Sequence, residues 1–299
     1  MWGTLLARAL TAAGVVVVIP DMRNYPWGSV PSMVEDVEDS IAWTIANISD
    51  YGGDPSKIVV VGQSAGGHVA CTALLLRAQR WLREEQTSRT RSDTLPDNSP
   101  PLRNQEGDRD ISASSWRPTD LKGFVSLSAP YCLVAMQDSL QRHGLDENLV
   151  DRIFGGERDK YDPMKIVKEL QRQDHQTQDK PLLPNVKIYH GEMDKTVPYS
   201  GSETFAQELR KAVAVSLLAA ADVRDVVDSF HLYKGWTHTD PILEGPMDAD
   251  QRFHKDLFDL VKEWTDTRHL IWPENDPFIR DRLCPSLLVR AARVCNPFQ

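Results

Sequence analysis

Two runs of β-branched residues, "VVVVIP" from Val15 and "IVVVG" from Ile58, are apolar at every position rather than at every second one. Such a strand must be covered on both faces, a condition met in parallel sheets flanked by helices. The segments around these runs have the other period. "WGTLLARALTAAG" sets Leu5, Leu6, Ala9 and Leu10 on one helical side, with Gly14 as a stop. "PSMVEDVEDSIAWTIANI" repeats Met33, Val34, Val37, Ile41, Ile45 and Ile48 at helical spacing, "YGGDPSK" is a turn, and "AGGHVACTALLLRAQRW" is a further helix. The alternation predicts an α/β fold, a mostly parallel sheet with helices on both faces. It resumes with strands at "LKGFVSLS", "NVKIYHG" and "DSFHLYKG", the last two followed by helices at "SGSETFAQELRKAV" and "DADQRFHKDLFDLVKEW".

Two stretches interrupt the rhythm. Residues 84–116, with "RTRSDTLPDNSPPLRNQEGDRD", are polar, charged and Pro-rich, and are expected to form a disordered insertion. Residues 131–184 are mixed helical and polar and are expected to form a helical cap above the strand ends. There is no internal repeat, and residues 1–299 read as a single domain.

The composition excludes several classes. Of the residues, 41% are hydrophobic and 26% charged, with a formal net charge of −9. Lys and Arg are scattered among acids, which argues against a nucleic-acid partner. Cys71, Cys132, Cys284 and Cys295 are widely spaced and suggest free thiols rather than a disulfide framework. No run reaches the roughly 18 to 20 apolar residues of a membrane span. Met1 leads straight into an amphipathic helix rather than a signal peptide, so the chain as written is expected to be soluble and intracellular.

The strand "IVVVG" runs into "GQSAG", which fits G-x-S-x-G between a strand and a helix. In that context Ser64 is expected at the tip of a sharp turn, with Gly62 and Gly66 letting strand and helix approach. The N–H of Ala65 and the helix N-terminus would then face a developing oxyanion. Phosphate binding is the other use of a glycine-rich turn, but the P-loop Lys and the G-x-G-x-x-G spacing are absent.

A nucleophilic serine needs a base, and the base an orienting acid. Asp194 follows the strand "NVKIYHG" and His238 follows "SFHLYKG", in the chain order Ser, Asp, His and at strand carboxyl ends, where sites in such sheets gather. Glu192 competes for the acid's place, but Asp194 lies where the loop turns before Val197–Pro198. His68, one helical turn after Ser64, competes as base, but its position also suits packing at the helix–sheet interface. His231 lies inside a strand and reads as structural, as does the strand-end pair His190–Gly191. Asp240 reads as a loop or capping residue. No metal site is expected, since H-E-x-x-H is absent and the histidines lie on separate elements. No cofactor is called for.

At this point the chain resembles the plant-type prenylcysteine methylesterases, within the α/β-hydrolase carboxylesterases. The matching stretches are "WGTLLARAL", "DMRNYPWGSVPSMVEDV", "YGGDPSKI", "GQSAGGHVA", "HGEMDKTVP", "WTHTD" and the tail "RLCPSLLVRAARVCNPF". "YGGDP" and "GQSAG" are shared by many carboxylesterases; "RNYPWG", "THTD" and the tail are more specific. The similarity covers nearly the whole chain, apart from the insertion after Arg83 and extra residues between Ala212 and Asp225. It implies an α/β-hydrolase fold and hydrolysis of the methyl ester on a C-terminal prenylated cysteine. Ser64 would be nucleophile, His238 general base, Asp194 its orienter and Ala65 an oxyanion donor. By position, Trp27, Tyr131, Tyr199 and Trp236 would wall a prenyl groove.

The resemblance implies endoplasmic reticulum or Golgi membranes as location, and a small ester or a prenylated protein C-terminus as partner. It also implies an upstream strand, a second oxyanion donor on a G-G-x-W-like loop, and a membrane-anchoring region. None of these precedes "WG" here, so an incomplete or alternatively started chain is expected, with open edges at "VVVVIP" and "IVVVG". Another carboxylesterase, an arylformamidase, a non-catalytic binding protein of the same fold and an inactive truncated product are the alternative readings.

Overall fold

The computed structural model describes residues 3–94, 116–142, 146, 148–172, 182–216 and 229–295. Four parallel strands make one sheet in the order β1 (Val59–Gln63), β2 (Gly123–Leu127), β3 (Asn185–Gly191) and β4 (Phe230–Tyr233). The register pairs Val61 with Val125, Ser126 with Ile188, and His190 with Leu232. All five β2 residues are buried, as in a strand covered on both faces, and the one polar side chain among them, Ser126, accepts from the Tyr131 hydroxyl.

Alternate residues serve opposite cores. Phe124 and Ile188 join a cluster with α3 (Ala65–Thr94), α6 (Pro163–Arg172) and α7 (Tyr199–Ser216), contributing Leu74, Leu75, Val167, Phe205 and Leu209. Val125 and Tyr189 point the other way, to α1 (Thr4–Ala12) and α9 (Arg252–Trp264), where they meet Leu10, Phe253 and Leu257. A third cluster joins α2 (Val30–Asn47) and α3 to α4 (Leu133–Arg142) and α5 (Leu149–Ile153). The short α8 (Glu244–Met247) and α10 (Pro277–Arg280) and α11 (Ser286–Cys295) are the remaining α-helices among the described residues.

Three expectations change. Val15–Pro20 is not a strand: Val15 and Val17 pack on the α1–α9 side, while Val16, Val18 and Ile19 are exposed. A strand needs a laddered neighbour, and among the described residues none lies beside this run, whatever its β-propensity. β1 is accordingly an edge, with Val61 exposed. Second, α3 continues through Thr94, so residues 84–94 of the expected insertion are helical. That stretch has no Pro or Gly, and its Glu, Gln and Arg are good helix formers. The remainder of the insertion, 95–115, lies outside the described residues. Trp116 then returns to the core, its carbonyl accepting from Arg77 Nε at 3.0 Å. Third, within the expected cap, α4 and α5 pack over α2 and α3, but α6 is a core helix beside the sheet, with Ile166, Val167 and Leu170 buried. Residues 173–181 of that region, and 217–228 after α7, lie outside the described residues.

Candidate active site

Ser64 occupies the single residue between β1 and α3 and has φ +51°, a left-handed value uncommon away from glycine. Its N–H donates to the Leu127 carbonyl at 2.8 Å, tying the turn to β2, and its carbonyl accepts from His68 N–H at 3.1 Å. A β-carbon on Gly62 would lie 2.6 Å from the Gly66 carbonyl oxygen. The second glycine that the close approach requires is Gly67, whose β-carbon would lie 2.8 Å from the Gly62 carbonyl oxygen and 2.9 Å from Ala129 Cβ. At Gly66, assigned that role from the motif, a β-carbon would meet nothing. Helical phase explains the difference: Gly67, not Gly66, faces the sheet. Ser64 is half-buried and Ala65 is exposed, so the turn is open outward. Ala65 begins α3, where the first N–H groups lack intrahelical partners.

Asp194 lies on the loop after β3 with no side-chain exposure. Oδ1 accepts from the N–H groups of Thr196 at 3.0 Å and Val197 at 2.8 Å. Oδ2 accepts from His238 Nδ1 at 2.7 Å and lies 3.1 Å from His190 Nε2. Burial alone would raise the acid's pKa, but hydrogen bonds from His190, His238 and the Val197 N–H outweigh it and hold the carboxyl at about 2. An ionised acid on Nδ1–H leaves the other nitrogen of His238 as the one able to accept a proton.

The loop after β4 that carries His238 is held by hydrogen bonds within it and from neighbouring elements. Gln63, the neighbour of Ser64, donates from Nε2 to the His238 carbonyl at 3.0 Å. Thr237 donates from N–H and hydroxyl to Asp240 Oδ2 at 2.8 and 2.9 Å. Arg293 of α11 donates from Nε and Nη2 to Asp240 Oδ1 at 2.9 and 2.7 Å. Asp240 is thus a loop brace with a partner from the C-terminal helix. Gly191 permits the approach, since a β-carbon there would sit 2.4 Å from the Trp236 carbonyl oxygen.

Of the competing residues, Glu192 accepts from the Gly235 N–H at 3.1 Å and is exposed, so Asp194 is the acid that meets His238. His68 is buried in the first turns of α3, its Nδ1 donating to the Pro130 carbonyl at 2.8 Å and its pKa pushed down by burial. His231 is exposed on β4, edge-on to Tyr233.

The four aromatic residues expected to wall a groove differ in their surroundings. Trp27 is 87% exposed, and Tyr199 is half-buried at the start of α7. Tyr131 is fully buried, stacked on Phe205 with its hydroxyl donating to Ser126 Oγ at 2.7 Å. It backs a narrow recess that Cys132, Ala135, Met136, Val197 and Pro198 line. Trp236 is buried between Tyr233 and the Arg252 guanidinium.

Gln63, Gly67, His190 and Arg293 are the site residues that sequence reasoning missed or assigned otherwise. Only Gln63 had a signal, its place beside Ser64. Among the described residues, no three His, Cys, Asp or Glu side chains group to hold a metal ion, and no helix is long and apolar enough to cross a membrane. Cys71, Cys132 and Cys284 are free.

The BD-FAE family profile matches residues 2–209. The chain is 31% identical over 303 residues to the probable isoprenylcysteine alpha-carbonyl methylesterase ICMEL1 of Oryza sativa subsp. japonica. It is 30% identical over 306 residues to the isoprenylcysteine alpha-carbonyl methylesterase ICME of Arabidopsis thaliana. Each comparison covers 99% of this chain and 60% of the relative, so the chain spans three-fifths of the length of these proteins. Among solved structures, an inhibited esterase B from Lactobacillus rhamnosis is similar with a TM-score of 0.54 at 13% identity, covering 83% of this chain and 66% of that one. That likeness is one of fold, the α/β-hydrolase fold.

Proposed function

The chain belongs to the BD-FAE family, and from that premise we propose that it is a serine carboxylesterase working through an acyl-enzyme. The observation that carries the reading is the buried pair of Asp194, after β3, and His238, after β4, 2.7 Å apart, with the His238 carbonyl accepting from Gln63, the residue before Ser64. In this reading Ser64 Oγ attacks the ester carbonyl and its proton passes to His238 Nε2. The oxyanion of the tetrahedral intermediate faces the Ala65 N–H. Collapse breaks the ester C–O bond, and His238 returns the proton to the departing alkoxide. A water then attacks the acyl-enzyme, giving its proton to His238; the carboxylic acid leaves and Ser64 regains its hydrogen. The steps balance without a cofactor.

The substrate class we propose is a methyl ester, with methanol as the first product, and specifically that of a prenylated C-terminal cysteine. The names of the two plant relatives, each similar over 99% of this chain, support it. Action at endoplasmic reticulum or Golgi membranes remains an expectation from the sequence resemblance alone, which fractionation of the expressed protein tests.

The deciding experiment is labelling with a fluorophosphonate, which reports an activated serine whatever the substrate. Wild type should take the probe at the Ser64 peptide, Ser64→Ala should take none, and His238→Ala should label at least about a hundredfold more slowly. An unlabelled wild type would refute the esterase reading. Release of methanol from a prenylcysteine methyl ester, set against simple aryl and formyl esters, tests the substrate.

A further inference from the structure

His190 has no part in the steps above, yet its ring touches the carboxylate on which they depend. It is the penultimate residue of β3 and has no solvent exposure. Nδ1 lies 2.9 Å from Ser202 Oγ on α7. Nε2 lies 2.8 Å from the Val197 carbonyl oxygen and 3.1 Å from Asp194 Oδ2. Both of these partners are acceptors, so Nε2 must carry a hydrogen. That places a hydrogen on Nε2, shared between the Val197 carbonyl and Asp194 Oδ2, while Nδ1 pairs with the Ser202 hydroxyl.

The acid between the two imidazoles is therefore saturated. Two backbone N–H groups fill Oδ1, and two histidine N–H groups, one from each of two loops or strands, share Oδ2. A carboxylate so held has one rotamer, and each donor withdraws charge from it. The titratable groups facing His190 are Asp194, on the loop after β3, and through it His238, on the loop after β4. From α7 it meets the uncharged Ser202, whose hydroxyl donates to the Ala129 carbonyl beyond β2 at 3.2 Å.

We propose that His190 is a positioning residue for the triad: its Nε2–H aims Asp194 Oδ2 at His238 and limits how basic that carboxylate, and so His238, becomes. The inference rests on the serine-esterase reading. Without the Nε2–H donor, Asp194 would be both looser and more basic. The looser acid slows the reaction; the more basic acid stabilises protonated His238, so the activity appears at higher pH.

Two variants separate this from a packing role. The side-chain nitrogen of Gln lies as many bonds from Cα as histidine Nε2, whereas the side-chain amide of Asn reaches only as far as Nδ1. His190→Asn should lower the fluorophosphonate labelling rate of the full chain roughly tenfold and move the acidic limb of its pH profile upward. His190→Gln should keep the wild-type limb and stay within about threefold of the wild-type rate. A purely structural role would make both variants slower with the limb unmoved, and that result overturns the proposal. Should the Asn variant fail to fold, wild type alone decides: histidine-selective 15N NMR should find the His190 proton on Nε2, and a proton on Nδ1 alone overturns the proposal. A wild type that takes no probe sinks the esterase reading and this inference with it; a labelled wild type with an unshifted Asn profile sinks the inference only.

Discussion

The two flanks of the sheet differ in how completely they are finished. At the β3–β4 flank, polar groups near the end of each strand are partnered: Asp194 accepts from two backbone N–H groups and His238, and Asp240 from Thr237 and Arg293. At the β1 flank, Val61 is exposed, and Val16, Val18 and Ile19 face outward in a run that is not part of the sheet. Ser64 stands on this second flank, held by one hydrogen bond to Leu127 and by glycine-permitted contact with α3. The base and acid are thus built into a saturated polar network, while the serine depends on backbone geometry. Damage to the two halves should look different: the acid–base half should lose rate and pH response, the serine half the conformation of the turn itself.

The largest effect expected is at the turn. Gly67→Val forces a side chain into the Gly62 carbonyl and Ala129, and should cost at least about 3 kcal/mol in chemical denaturation. Gly66→Ala meets nothing and should be neutral or stabilising by up to about 1 kcal/mol. Equal losses at the two glycines would break the claim that helical phase sets the turn.

Next comes acid stability. Asp194 is held at about 2 against a reference of 3.8, a lowered folded pKa. Its contribution is present above pH 3.8 and is lost as pH falls through that value towards 2. It amounts to about 2 kcal/mol, and Asp194→Asn should remove that part of the pH dependence in denaturant titrations between those limits. An unchanged slope would mean that the network does not favour the ionised acid.

A subtler break concerns the C-terminal brace. Arg293→Met leaves Asp240 only its Thr237 donors and frees the loop that carries His238. Labelling of Ser64 should slow by roughly tenfold with a modest loss of melting temperature, and Arg293→Lys should recover part of it. Loss of stability without loss of rate would confine Arg293 to packing. The smallest effect is expected at the open flank: Val18→Thr or Val61→Thr should change stability by no more than about 0.5 kcal/mol. A larger loss at either position would show that this flank is covered in solution, and so erase the contrast.

Much of this is legible in the sequence. The strands Val59–Gln63, Gly123–Leu127 and Asn185–Gly191 fall on the segments whose β-branched and aromatic residues mark them as strands in the sequence. Asp194 was preferred to Glu192 because it stands where its loop turns, and the structure has it accept the two N–H groups of that turn. Other features were hidden for identifiable reasons. Val15–Pro20 has strand composition, but being a strand is a relation between two segments. Polar residues 84–94 read equally well as loop or as exposed helix, and only continuation of α3 chose between them. Tyr131 and Trp236 look alike in sequence and differ in space, Tyr131 stacked on Phe205 behind a recess and Trp236 packed against Tyr233 and Arg252, because an aromatic residue's role depends on what lies across from its ring.

What the sequence by itself determined is the kind of sheet, the sharp turn at Ser64 and the order in which serine, acid and histidine follow their strands. These are local properties, written in periods of two and of three to four and in the residues at strand ends. Only the tertiary structure decided that Asp194 meets His238 across 44 positions, that Gln63 holds the histidine loop across 175, and that His190 shares the same carboxylate. Those meetings depend on strand register and on which glycines let neighbouring backbones close to contact, and neither is encoded in any short stretch of the chain.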